Sequence, residues 1–163
     1  MSDETAKQAR RDRVFLVVVD DSPERAVALR YACLRAAKSG GRVALLRVVE
    51  PVEQAEWAGI EAMMQQERRE EAEALLNGLA AQVTEITGGL PILLVREGAA
   101  SEQLLTLLEE DPRISILVLA TAADGKGPGP LITALTGRLS ARLSVPMTVV
   151  PGNMSDEELE RVT

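Results

Sequence analysis

VFLVVVDDSPERAVALRYA, residues 14–32, decides how the rest of the chain is read. Six apolar residues, Val14–Val19, run without a polar break, and four of them are valine. A strand with one wet face would alternate. An unbroken, β-branched run suits a strand covered on both faces, as in a parallel sheet. Asp20-Asp21 ends the run, and Ser22-Pro23 caps and opens a helix that continues to about Lys38. Ser39-Gly40-Gly41 then stops it. Working outward, four more apolar runs read as strands: Val43–Val49, Ile92–Val95, Ile114–Ala120 and Met147–Val150. Helical patterns lie between them. Ser101 is the expected cap of the third, and Asp111-Pro112 its stop. Ile132, Leu135, Leu139 and Leu143 give the fourth its apolar stripe, with Gly137 inside and Pro146 beyond the end. Strict strand–helix alternation predicts a three-layer α/β/α, doubly wound fold with a five-stranded, mainly parallel sheet. Ligands in such folds bind beyond the C-terminal ends of the strands.

Composition narrows the function. The 163 residues suit one domain, expected over 13–151, with a polar tail at 1–12 and an acidic tail at 152–163. Phe15, Tyr31 and Trp57 are the only aromatics, so stacking surfaces for single-stranded nucleic acid are lacking. A net charge of −7 argues against binding a phosphate backbone. No apolar stretch is long enough to span a membrane, and the polar start MSDETAKQARRDR leads us to expect a cytoplasmic protein. The lone Cys33 sits in an alanine-rich helical pattern and reads as a small buried hydrophobe. There is no histidine, which removes Ser-His-Asp triads, Cys-His pairs and histidine-bearing zinc sites together. No catalytic set and no metal site emerge from what remains.

Asp20 and Asp21 lie where a ligand crevice is expected. Asp21 and Ser22 can each cap the first helix, which would leave a carboxylate free. Paired acids after a first strand resemble the response-regulator receiver domain. That family also requires an Asp ending its third strand and a Lys after its fifth. Here those strands end VREG and VVPG, so the resemblance fails.

A second resemblance covers nearly the whole chain. VVVDDS, RVVEP, VREGAASEQLL and VPMTVVP follow in the order and at the spacing of signatures in the universal stress protein family. The resemblance implies the adenine nucleotide alpha hydrolase-like fold, with strand order 3-2-1-4-5. It implies a non-enzymatic stress-response protein, homodimeric through its last strand, here Met147, Thr148, Val149 and Val150. It also implies a role for Asp20 near ribose and phosphates, and for Val49 near adenine, in a member that binds ATP or AMP with Mg²⁺.

Nucleotide-binding members carry Gly-x-x-Gly, nine residues, then Gly-Ser/Thr. The corresponding positions here are Ala120, Ala123, Thr133 and Ala134: the spacing survives and every motif residue differs. Glycines stand instead inside the spacer, at 125, 127 and 129. One reading is a re-routed anion loop that uses Gly127 and Gly129, with Lys126 for charge and Thr121 or Thr133 for a hydroxyl. It would serve an adenine-nucleotide sensor or a weak ATPase. The other is a Pro-Gly linker into the fourth helix.

Residues 52–86 hold eight Glu and two Arg, so much of the net charge is here. The second half is a helix with an apolar stripe from Ala72 to Ile86. The first half carries Trp57, Ile60, Met63 and Met64, and reads either as a solvated helix face or as an interaction segment at 52–66. In the C-terminal tail, Ser155 and Glu158 form a capping box for a short surface helix.

Overall fold

The structure is a computed structural model and describes residues 3–5, 13–52 and 57–163. The N-terminal tail therefore lies largely outside the described residues, as do residues 53–56 of the 52–66 segment.

The sequence condenses into β1 (Val14–Val18), α1 (Arg25–Ser39), β2 (Arg42–Val49), α2 (Ala58–Thr87), β3 (Ile92–Glu97), α3 (Ala100–Glu110), β4 (Ile114–Ala120), α4 (Pro130–Thr136), β5 (Met147–Val150) and α5 (Asp156–Val162). A short 3₁₀ turn, Ser140–Arg142, precedes β5. The five strands form one all-parallel sheet in the order β3-β2-β1-β4-β5. The chain steps outward from β1 to β3, then crosses back to β4 on the other side of β1. The reversal moves the connecting helices from one face of the sheet to the other.

The period of two along each strand divides the core. Phe15, Val17 and Val19 join Val43, Leu45 and Val118 beneath α1 and α2, with Leu29, Ala32, Leu76 and Val83. Val14, Leu16 and Val18 join Ala44, Leu46 and Leu117 beneath α3 and α4, with Leu104, Leu105, Ile132 and Leu135. Every residue of β1 is buried, as its unbroken apolar run requires.

The helix ends depart from the sequence reading in three places. The Ser22 hydroxyl donates to the Asp20 carboxylate, so α1 starts at Arg25 without a side-chain cap. Ser101 lies inside α3, whose N-cap is Ala99. Gly137 ends α4 instead of sitting within it, and Leu139 reaches the core from the turn beyond. Glycine's low helix propensity decides that last point: seven residues of apolar stripe do not carry the helix across it.

α2 is a single 30-residue helix. From Ala72 onward it packs against the sheet. Before Ala72 it projects past the C-terminal ends of β2 and β3, and Trp57 and Met63 are 68% and 67% exposed. Its ties there are polar: Val52 N donates to Gln65 Oε1 (3.0 Å), Arg68 donates to the Glu50 carbonyl (3.3 Å), and Arg69 pairs with Glu97 (3.2 Å). Among the described residues, no helix is long and apolar enough to cross a membrane.

The C-terminal segment contributes to the core. The Ser155–Glu158 capping box forms as read from the sequence. Leu159 then enters the α1 side of the sheet, 1% exposed. Around it, Arg30 pairs with Asp156 and Glu160 (3.3 and 3.4 Å), and Arg35 donates to the Thr163 carbonyl (3.2 Å). The adjacent Cys33 is fully buried, and burial pushes its thiol up to about 12 despite the opposing charge of Arg30.

Two predictions follow from this packing. Leu159→Ala should cost about 2–5 kcal/mol in urea unfolding, the loss of a buried core side chain rather than of a surface one. Cys33 should resist iodoacetamide at neutral pH and react only at denaturant concentrations that unfold the whole domain. Labelling well below the unfolding midpoint would show α1 opening by itself.

Candidate functional site

The parallel order sends all five strands out at one edge of the sheet, with β1 in the middle. Clefts open there, and Asp20 and Asp21 line two of them. The larger, 580 Å³, lies between the ends of β1 and β2 and the middle of α2. Its floor is apolar: Val18, Val19, Val48 and Val49. Its rim sets Asp20, Asp21, Glu50 and Glu71, four carboxylates, against Arg47 and Arg68, two guanidiniums. The smaller, 290 Å³, sits between β1 and β4, where the winding direction reverses. Ser22 and Arg25 bound it on one side, and Ala120, Gly129 and Ile132 on the other.

The two aspartates are held differently. The Asp20 carboxylate accepts from both the amide and the hydroxyl of Ser22, at 3.0 and 2.5 Å, which closes an Asx turn over the strand end. The Asp20 carbonyl accepts from Arg25. Asp21 caps nothing; its carboxylate pairs with Arg47 at 3.0 Å. Arg47 also donates to the Val19 carbonyl (3.2 Å), so one guanidinium spans the ends of two strands.

The structure brings some sequence-predicted residues together and leaves others apart. Asp20 and Val49 share the larger cleft; Asp20 and Gly129 share the smaller. Thr121, Gly127 and Thr133 line neither. Thr121 fastens β5 to β4: its amide donates to the Val150 carbonyl (2.9 Å), and its hydroxyl accepts from Gly152 N (3.0 Å). Gly152 has no room for a Cβ against the Thr121 carbonyl. Thr133 donates back to the Gly129 carbonyl (2.8 Å) within the first turn of α4. Of the residues at the family glycine positions, Ala120 lines the smaller cleft, Ala134 packs against the core and Ala123 is exposed.

The glycine loop is an open turn. Gly125, Gly127 and Gly129 have φ of +74°, +102° and +103°, and nothing lies within 4 Å of where their side chains would be. The amide of Lys126 donates to Asp124 (2.9 Å). Pro128 and Pro130 have no N–H to offer a ligand.

Arg47, Glu50, Arg68 and Glu71 were not singled out from sequence. Arg47 did leave a signal: it is the one charged residue in the apolar run VALLRVV, two positions before Val49. Arg68 and Glu71 reach the cleft because α2 is continuous, so the polar QQERREE stretch becomes a rim.

At the far side, β5 pairs among the described residues only with β4, through Met147 to Val150. Val150 is buried at 2% exposure, while Val149 is 40% exposed. Among the described residues, no cluster of three or more carboxylate or thiol groups is arranged to hold a metal ion.

Several solved structures share this fold. The universal stress protein UspA from Lactobacillus plantarum superposes with a TM-score of 0.71 at 16% identity, covering 86% of this chain and 98% of its own. A universal stress protein crystallised in complex with cAMP gives 0.64 at 16% identity, with 86% and 98% covered. An Arabidopsis thaliana family member with AMP bound gives 0.58 at 15% identity, with 89% and 94% covered. No curated protein matches the chain in sequence. A model of the universal stress protein family matches residues 13–151, which contain the sheet, both clefts and the glycine loop: the chain belongs to the universal stress protein family.

Proposed function

We propose that this protein is a non-enzymatic, cytoplasmic stress-response protein that acts as a homodimer closed through β5, with residues 13–151 as its working domain. One observation carries the dimer: β5 is an edge strand whose outer side meets no partner strand among the described residues, and Val149 adds exposed apolar surface to it. Unprotected edges favour pairing with another strand, and a two-fold axis supplies an identical one. The clefts support a role that does not turn over substrate, since Asp20 and Asp21 are already engaged with Ser22 and Arg47 rather than poised as a general base.

A second reading is that the protein senses an adenine nucleotide. Val49 on an apolar floor, with Asp20 beside it, suits a base and its ribose. Relatives of the same fold are described with cAMP and AMP. ATP or AMP would then lie across the two clefts. A Mg²⁺ ion would rest on Asp20 and on the ligand's own phosphates, the usual sharing for this cation. The projecting part of α2 gives a third, narrower role: Trp57, Ile60, Met63 and Met64 are an exposed apolar face on which a partner can dock.

Val149→Lys places a charge on the pairing edge and should convert a dimer to a monomer in light scattering. An unchanged dimer mass removes β5 as the interface. Titration of the purified protein with adenosine, AMP and Mg-ATP tests the sensor. Uptake with a Kd in the micromolar range that Asp20→Ala weakens supports it, and no uptake at millimolar ligand rejects it.

A further inference from the structure

We propose that anion recognition in this protein resides in Arg47 and Arg68, in the larger cleft, and that the ligand they take is a phosphomonoester. This places the phosphate on the β2–α2 side rather than on the glycine loop. The inference deepens the adenine-nucleotide reading, but its phosphate half stands on separate observations.

The loop is poorly equipped for a phosphate. Two of its residues, Pro128 and Pro130, lack an N–H, and the Lys126 amide is satisfied by Asp124. The hydroxyls at its two ends are occupied in backbone contacts, Thr121 with Gly152 and Thr133 with Gly129. The smaller cleft beside it offers one guanidinium, Arg25, which already donates to the Asp20 carbonyl, so no second cation is there to share a phosphate.

The larger cleft supplies what the loop lacks. Arg47 enters from β2 and Arg68 from α2, so the two guanidiniums face the cavity from different elements. A guanidinium carries five N–H donors in a planar fork that matches phosphate oxygens. Arg47 spends two contacts on Val19 and Asp21, and Arg68 one on the Glu50 carbonyl, which leaves donors for a ligand. The partner of Arg47 is easily displaced. The Asp21 side chain is 85% exposed and that of Arg47 only 22%, so the aspartate is well solvated when released. Exposed ion pairs of this kind are weak, whereas a dianionic phosphate meeting a half-buried guanidinium is not. Asp21 thus acts as a stand-in anion that holds Arg47 extended over the cleft until a phosphate replaces it. Asp20, Glu50 and Glu71 on the same rim limit the negative charge the site accepts. A monophosphate, with two charges, is favoured over a triphosphate with four.

Calorimetric titration of the full chain with ribose 5-phosphate, adenosine, AMP and ATP tests this without depending on the base. AMP should bind more tightly than adenosine and than metal-free ATP, and ribose 5-phosphate should bind measurably. Arg47→Gln and Arg68→Gln should each weaken AMP and ribose 5-phosphate by about tenfold while sparing adenosine. Asp21→Asn should tighten both by about two- to fivefold, because it removes the competing carboxylate. Lys126→Gln and Gly127→Ala should change nothing. Circular dichroism on each variant guards against misfolding. Binding of ribose 5-phosphate without adenosine upholds the arginine site and sinks the adenine reading. Adenosine binding to which phosphate adds nothing, or AMP binding lost in the loop variants and kept in the arginine variants, overturns the proposal and leaves the adenine reading standing. No binding by any of the four ligands overturns both.

Discussion

The burial of β1 on both faces is the constraint from which the rest of the molecule follows. It pairs with β2 along one side and with β4 along the other, and each of its side chains is buried. Leu16 and Val17 are completely inaccessible, on opposite faces. A strand so enclosed has nowhere to display chemistry along its length. Polar groups are admitted only where the chain leaves the sheet, and parallel pairing makes all strands leave at the same edge. The site is therefore where it is because the core excludes it from everywhere else.

At that edge, polar groups left by the strands satisfy one another. Asp20 turns back on Ser22, Asp21 reaches Arg47, and Arg47 returns to the Val19 carbonyl. These contacts link the ends of β1 and β2 and keep the crevice from collapsing onto its apolar floor. The same logic governs the projecting half of α2. Beside the buried Val52, it is tied down by Gln65, Arg68 and Arg69, each of which meets a group at the mouth of the sheet. Polar ties of this sort are individually weak in water. The helix owes its position chiefly to the packed half that begins at Ala72.

The sheet was legible in the sequence because continuous apolar runs are constrained by burial on two sides, and few alternatives satisfy them. β4 and β5 match their predicted limits residue for residue, and β1 falls one residue short. The strand order came from the family resemblance, since no local pattern encodes it. The helix starts were less legible. Capping is a competition among nearby acceptors, and at Ser22 and Ser101 the backbone closed in other ways. Gly137 was read through because the apolar stripe continued past it, yet Leu139 reaches the core without being helical. Arg47 escaped notice because its role depends on α2 lying opposite, which is a tertiary fact. Thr121 is the converse case. Its position beside the glycine loop suggested a ligand, while its hydrogen bonds serve β5.

The continuity of α2 has a mechanical consequence. Fifteen residues separate Ala72 from Trp57, about 22 Å of helix at 1.5 Å per residue. The packed half acts as a pivot and the projecting half as a lever arm. A tilt of about 5° at the pivot, well within the shear available to a helix packed on a sheet, carries Trp57 through about 2 Å by the same geometry. The rim arginine at position 68 lies near the pivot and the indole at the tip. Small adjustments beside the cleft are thus magnified where the helix meets its surroundings.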